Sequence, residues 1–246
     1  VLLILPPSET KRDGGDDGSR LELESLGFTS LTEARATAAA ALVALAASVE
    51  HSTRALKLGK TQAFEIERNR QLLSSPVMPA IDRYTGVIYD ALDAATLTPA
   101  ARAFAADHLV IGSALFGLLR ADDRIPAYRL SHDSRLPGIG LGKLWRAGVE
   151  AELGQRHELI LDLRSEAYAA LGRGPQDSFY IRVLSEGPDG RRVALSHFNK
   201  HAKGAFTRAV LESGAVHADA DALIAWARKN QINLDYGALG ELDLVV

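Results

Sequence analysis

The chain has 246 residues, 47% hydrophobic and 24% charged, which is enough apolar material for a substantial core and an ordinary charge content for a soluble globular protein. Its net charge of −3 supplies no global basic field for nucleic acid, so any such contact must come from a local patch. The absence of cysteine excludes disulfides, thiolate metal sites, iron–sulfur clusters and thiol nucleophiles; a single methionine leaves little for oxidant sensing by sulfur.

Val1 to Leu5 is a continuous apolar run closed by Pro6-Pro7, the pattern of a buried central strand. It is too short for a signal-peptide core or a membrane span. The longest apolar stretch, 34–49, is broken by Arg35 and Thr37. The expectation is therefore a cytoplasmic protein without a membrane partner. A polar segment, Ser8 to Lys11, follows the first strand, and an acidic glycine-rich loop spans 13–18. Alanine content predicts a helix over 31–50 with Thr32 as its cap. Two short helices are expected within 52–74, around a turn at 57–60. Residues 84–92 read as a strand or turn leading into a helix, and Pro99 opens a helix over 98–107.

Leu109 to Ser113 is the second buried strand, with 115–120 directly after it and 125–130 extended. A helix over 142–153 precedes a third buried strand, 159–163, and Ser165 starts another helix. Segments 179–185 and 192–196 predict a hairpin around 187–190. Helices are expected over 200–213 and 219–229, and a closing strand over 242–246. Strands alternating with helices place the chain in the α/β or mixed α+β class. It reads as a single compact domain over 1–246 with a central sheet and a helical sub-region at about 31–80.

Four polar clusters follow these elements. They are Ser8, Glu9, Thr10 and Lys11; Arg120 with Tyr128 and Arg129; Asp162, Arg164, Ser165 and Glu166; and Ser196, His197, Asn199, Lys200, His201, Lys203 and Arg208. Strand carboxyl ends are where open α/β sheets place ligands. If the strands are parallel neighbours, the cations Lys11, Arg120, Arg129, Lys200, Lys203 and Arg208 converge on one positively charged cleft suited to a phosphate or a nucleic-acid backbone. Each cluster could equally be loop and cap residues. Asp162, inside an apolar strand, needs a partner, with Arg164 or Lys200 as candidates. Lys200, Lys203 and Thr207 share a helix face, either a phosphate-tracking stripe or an ordinary solvated one.

Residues 53–65 place Lys57 and Lys60 around Gly59 between two short helices. This is a helix-hairpin-helix-like pattern that could turn backbone N–H groups toward phosphates, or a plain αα-turn. Walker A, nucleophile-elbow and zinc-protease signatures are absent from the sequence. His197 and His201 have ligand spacing without a third ligand, so no metal and no cofactor is expected.

Taken in order, several segments resemble the YaaA family of bacterial peroxide stress proteins. They are Leu2–Lys11, Tyr84-Thr-Gly, Gly112–Arg120 followed by Ile125–Leu130, Leu163–Tyr168, and Asn199–Gly204 with Arg208. Lys203 stands where the family motif carries arginine. The resemblance implies a compact α/β fold with a cationic cleft and a helix-hairpin-helix element. It also implies duplex DNA binding through backbone contacts, and protection of DNA from oxidative damage. The alternative is an enzyme acting on a small phosphorylated or nucleotide-like substrate in the same cleft. In that case Lys11 or Glu166 would serve as acid or base and Arg120 and Arg129 as anion clamps; enzymatic activity is otherwise not expected.

Overall fold

A computed structural model describes residues 1–187, 191–194 and 199–246. The first apolar run forms β1 (Leu2–Leu5), with all four side chains buried, because it lies between two parallel neighbours in the middle of the sheet. The chain then passes through α1 (Thr32–Ala46), α2 (Val49–Ala55), α3 (Phe64–Arg70), the short strand β2 (Met78–Pro79), α4 (Ala80–Arg83), α5 (Val87–Leu92) and α6 (Pro99–His108). It returns as β3 (Leu109–Ser113), turns back as β4 (Gly117–Arg120), and contributes β5 (Arg124–Ile125), which pairs with β2. Helix α7 (Leu141–Gly154) leads to β6 (Ile160–Asp162), and α8 (Glu166–Ala169) leads to β7 (Phe179–Glu186) and β8 (Arg192–Ala194). Helices α9 (Asn199–Ser213) and α10 (Ala220–Lys229) precede β9 (Asn233–Tyr236) and β10 (Glu241–Val245).

The main sheet runs β4-β3-β1-β6-β7-β10-β9, with β8 on β7. Neighbours from β3 to β10 are parallel, with Leu3 opposite both Leu109 and Leu161. The outer pairs β3–β4, β7–β8 and β9–β10 are antiparallel. The class is thus mixed α/β around a mostly parallel sheet. From β1 the chain goes first to one flank (β3) and later to the other (β6), which opens a crevice at the carboxyl end of β1.

Local chemistry sets several boundaries. Thr98 accepts the Ala101 N–H and Pro99 takes the first helical position of α6, as their residue types favour. The single helix expected over 31–50 is instead two. Thr32 is the first helical residue, not the cap, and α1 stops at Ala46. Ser48 leaves the helical region and caps α2 by accepting from His51, the competition that serine offers a helix interior. Of the extended 125–130 segment only Ile125 enters a ladder. The β7–β8 pair matches the expected hairpin, of which turn residues 188–190 and Ser196 lie outside the described residues. Trp145 is fully buried and donates from Nε1 to the Ala114 carbonyl at 2.8 Å, fixing α7 on the sheet. Among the described residues no helix is long and apolar enough to cross a membrane.

Candidate functional site

A pocket of about 720 Å³ opens at the carboxyl ends of β1 and β6. One wall is the loop after β1, including Ser8, Glu9 and Thr10, together with Thr85 and Gly86. The other carries Ser165, Glu166, Tyr180 and Arg182, with Asn199, Lys200 and Lys203 from the first turns of α9.

The first wall is a hydroxyl cluster. Ser8 Oγ lies 3.2 Å from Thr10 Oγ1, and Thr85 Oγ1 donates to Thr10 Oγ1 at 3.0 Å. Gly86 has φ of +93°, and a Cβ there would meet the Ser8 and Thr10 hydroxyls at 3.3 Å, so glycine keeps this wall open. Lys11 does not line the pocket; it braces the loop from behind. Its Nζ donates to the Ser8 carbonyl at 2.9 Å and lies 4.1 Å from the Tyr128 ring centroid. The side chain is 6% exposed, and burial pushes its pKa down to about 7. The Tyr128 hydroxyl bonds to those of Tyr84 and Ser113, both at 2.7 Å. Arg129 donates to the Glu9 carboxylate at 2.6 Å. Lys11, Tyr128 and Arg129 thus form one layer that shapes residues 8–10.

On the opposite wall, Asp162 finds its partner in Arg164, not Lys200. Two bonds of 2.9 and 2.7 Å join the two buried groups, and Arg164 also donates to the Gly172 carbonyl at 2.9 Å. Arg164 Nε and Nη2 are both directed at acceptors and both Asp162 carboxylate oxygens are matched, the kind of compensation under which a buried ion pair is tolerated. Ser165 caps α8 by accepting from Tyr168. Glu166 is exposed, 3.7 Å from Arg182, which is held chiefly by Glu241.

Helix α9 presses against α5 at Gly204, where an added Cβ would stand 2.2 Å from the Ile88 carbonyl oxygen. That approach sets the depth of Lys203, which is 4% exposed. Its Nζ lies 3.4 Å from the Arg164 carbonyl and 4.9 Å from the Tyr180 ring centroid. Burial pushes its pKa down to about 8, against the opposing pull of Asp162. Thr207 is fully buried and donates to the Lys203 carbonyl. The Lys200–Lys203–Thr207 face is therefore not a solvated stripe: Thr207 packs inward, Lys203 is buried in the pocket wall, and only Lys200 is exposed.

The remaining expected cations are elsewhere. Arg120 lies opposite Val110, near the start of β3, because β4 runs antiparallel and carries its end to the far edge of the parallel strands. Arg208 donates to the Leu92 and Asp93 carbonyls after α5 and pairs with Glu212 at 2.7 Å. Between α2 and α3 the hairpin pattern is not shown. The connection runs from Leu56 to Ala63, Lys57 pairs with Asp133 at 2.6 Å, and the Gly59 N–H donates to Gln62 Oε1 at 2.7 Å. With that N–H taken, the loop presents no glycine amide to a phosphate; Lys60 is exposed. Ser196 and His197 lie outside the described residues, among which no metal-holding cluster of three or more His, Asp or Glu occurs.

Sequence reasoning did not place Thr85, Gly86, Tyr180 or Arg182 at the site. The Tyr84-Thr-Gly segment was legible only as part of a family pattern. Tyr180 and Arg182 reach the pocket because β7 begins beside Asp162, a pairing no local signal announces.

A family profile described as peroxide stress protein YaaA matches residues 1–230. A UPF0246 protein of Corynebacterium glutamicum strain R is 46% identical over 214 residues, covering 85% of this chain and 84% of the relative. The UPF0246 protein CE1889 of Corynebacterium efficiens is 42% identical across the full length of both chains. SCO2297 of Streptomyces coelicolor is 42% identical over 222 residues, covering 87% of this chain and 84% of the relative.

Proposed function

Since the chain belongs to the YaaA family of peroxide stress proteins, we propose that it acts in peroxide defence by holding a phosphate-bearing unit of DNA in the pocket beside β1. The observation that carries this reading is the meeting of Lys200 and Lys203 with the Ser8, Thr10 and Thr85 hydroxyls across one cavity. Cations and hydroxyl donors facing each other across a concavity suit phosphate oxygens, and the start of a 15-residue helix adds a favourable field for an anion.

A second reading, a small phosphorylated or nucleotide-like substrate in the same pocket, is favoured by the placement of Arg120 and Arg208. Both stand away from the cavity, so phosphate contact is confined to a space of one-nucleotide scale instead of extending along a groove. Salt dependence separates local capture from groove binding. Two pocket lysines neutralising about two phosphates give a slope near −2 in log affinity against log salt, whereas a groove with 6–10 contacts gives roughly −5 to −9. Fluorescence anisotropy with a labelled duplex across a salt series measures this slope. An affinity independent of salt would overturn phosphate binding altogether, and competition by a nucleoside monophosphate would identify the pocket as the contact.

A further inference from the structure

The two lysines of the pocket differ in kind. Lys200 is exposed, whereas Lys203, less than one turn further along α9, is almost fully buried yet lines the cavity. Among the described residues its Nζ forms no ion pair, and its hydrogen bond, to the Arg164 carbonyl, is 3.4 Å long. The nearby carboxylate that could have balanced it, Asp162, is occupied by Arg164 through two shorter bonds. An ammonium in such a setting is poorly compensated, while a neutral amine is readily accommodated. Asp162 and Glu166 favour the charge and Arg182 opposes it, but burial outweighs them and brings the group to about 8. The free amine is then about a tenth of the population at pH 7 and about half at pH 8.

We propose that Lys203 is a carbonyl-capturing amine that condenses reversibly with the aldehyde of a phosphorylated sugar seated in the pocket, while Lys200 at the mouth holds the phosphate. This rests on the reading of the cavity as a phosphate site. The Nζ lone pair forms a bond to the carbonyl carbon as the C=O π bond opens onto oxygen. Oxygen gains a proton and nitrogen loses one, giving a carbinolamine. Protonation of that hydroxyl releases water and leaves a protonated imine. Amine and aldehyde become imine and water, with no oxidant or reductant. Glu166, on the same cavity, is an available proton relay. Aldehydes of this class occur as open-chain free sugar phosphates and as the base-less deoxyribose of a damaged DNA strand.

The full chain is incubated at pH 7.5 with cyanoborohydride, which reduces an imine to a stable secondary amine, and with either 2-deoxyribose 5-phosphate or a duplex carrying one abasic deoxyribose. Peptide mass mapping is expected to find the adduct on Lys203 with at least tenfold preference over the exposed Lys57, Lys60 and Lys200, with a yield rising between pH 6 and 8. A higher yield from the abasic duplex assigns the aldehyde to DNA, and a higher yield from the free sugar phosphate assigns it to a small molecule. Lys203→Arg, which keeps the charge, should lose the adduct; mapping on the unaltered chain decides the matter if that variant does not fold. Adducts scattered over exposed lysines with Lys203 unmodified, or no adduct, overturn the proposal. Binding of both probes without reductant separates the two readings. Binding without adduct refutes capture alone, and no binding refutes the phosphate site as well.

Discussion

The two ends of the parallel sheet carry similar numbers of cations and use them differently. At the amino end, Arg120, Arg124 and Arg156 share a cavity with Glu24, Asp122, Asp123 and Glu152. Arg124 pairs with Asp16, Arg156 lies over the Phe28 ring, and Asp123 accepts the Gly27 and Arg120 backbone N–H groups. At the carboxyl end, Asp162 is spent on Arg164, and Glu241 is the main partner of Arg182. Lys200 and Lys203 make no ion pair among the described residues. Counting cations along a chain therefore says little about anion binding; what decides it is which carboxylates the fold has already committed.

The contrast can be broken most severely in stability. Arg164→Ala leaves Asp162 buried without its partner and should cost about 3–5 kcal/mol, whereas Arg120→Ala should stay within about 0.5 kcal/mol. Urea unfolding measures both, and equal losses would erase the distinction between the ends.

Titration sharpens it next. Lys11 and Lys203 are held down by burial to about 7 and about 8, against 10.5 for an ordinary lysine. Between those values the unfolded chain binds more protons, so stability should rise with pH from 7 toward 10. Lys11 contributes up to about 1.4 kcal/mol per unit; below about pH 6 both states are protonated and its contribution is flat. Above pH 10 the sign reverses, because unfolded tyrosines ionise while burial keeps Tyr84 and Tyr128 protonated. Lys11→Met should remove most of the rise between pH 7 and 8 in thermal unfolding, leaving the smaller part due to Lys203, and an unchanged profile would count against its burial as the cause.

Gly204→Ala forces a Cβ against the Ile88 carbonyl and should cost about 1–3 kcal/mol. Gly142→Ala in α7 meets no atom closer than 3.9 Å and should gain up to about 1 kcal/mol. The same unfolding assay distinguishes a packing requirement from a general intolerance of helix substitutions. The last comparison concerns ligand affinity. Lys200→Glu should weaken duplex binding about tenfold, near 1.4 kcal/mol, and Arg120→Glu should change it less than about twofold. Equal weakening in anisotropy titrations would mean that the amino end also meets the ligand.

Much of the architecture was written in local sequence. The apolar runs at 1–5, 109–113 and 159–163 became buried parallel strands, and Thr98, Ser165 and Asp219 cap the helices they precede. These follow from side-chain periodicity and short-range hydrogen bonding, which act within a few residues. The candidate site was legible only in part. Ser8, Thr10, Ser165, Glu166, Lys200 and Lys203 do meet, because they follow parallel strands or open a helix at the same end. Arg120 left the group because strand direction is a property of pairing, and Arg208 because its helix turns it toward the carbonyls after α5. The depth of Lys203 depends on Gly204 meeting Ile88, residues more than a hundred positions apart. The sequence by itself determined most of the segments that form strands and helices, since that is settled largely by each residue and its near neighbours. Which charges stand open to a ligand was decided largely by tertiary packing: Asp162–Arg164 and Arg208–Glu212 are local pairs, but Arg129–Glu9 and Arg182–Glu241 form only once distant segments of the chain have been brought together.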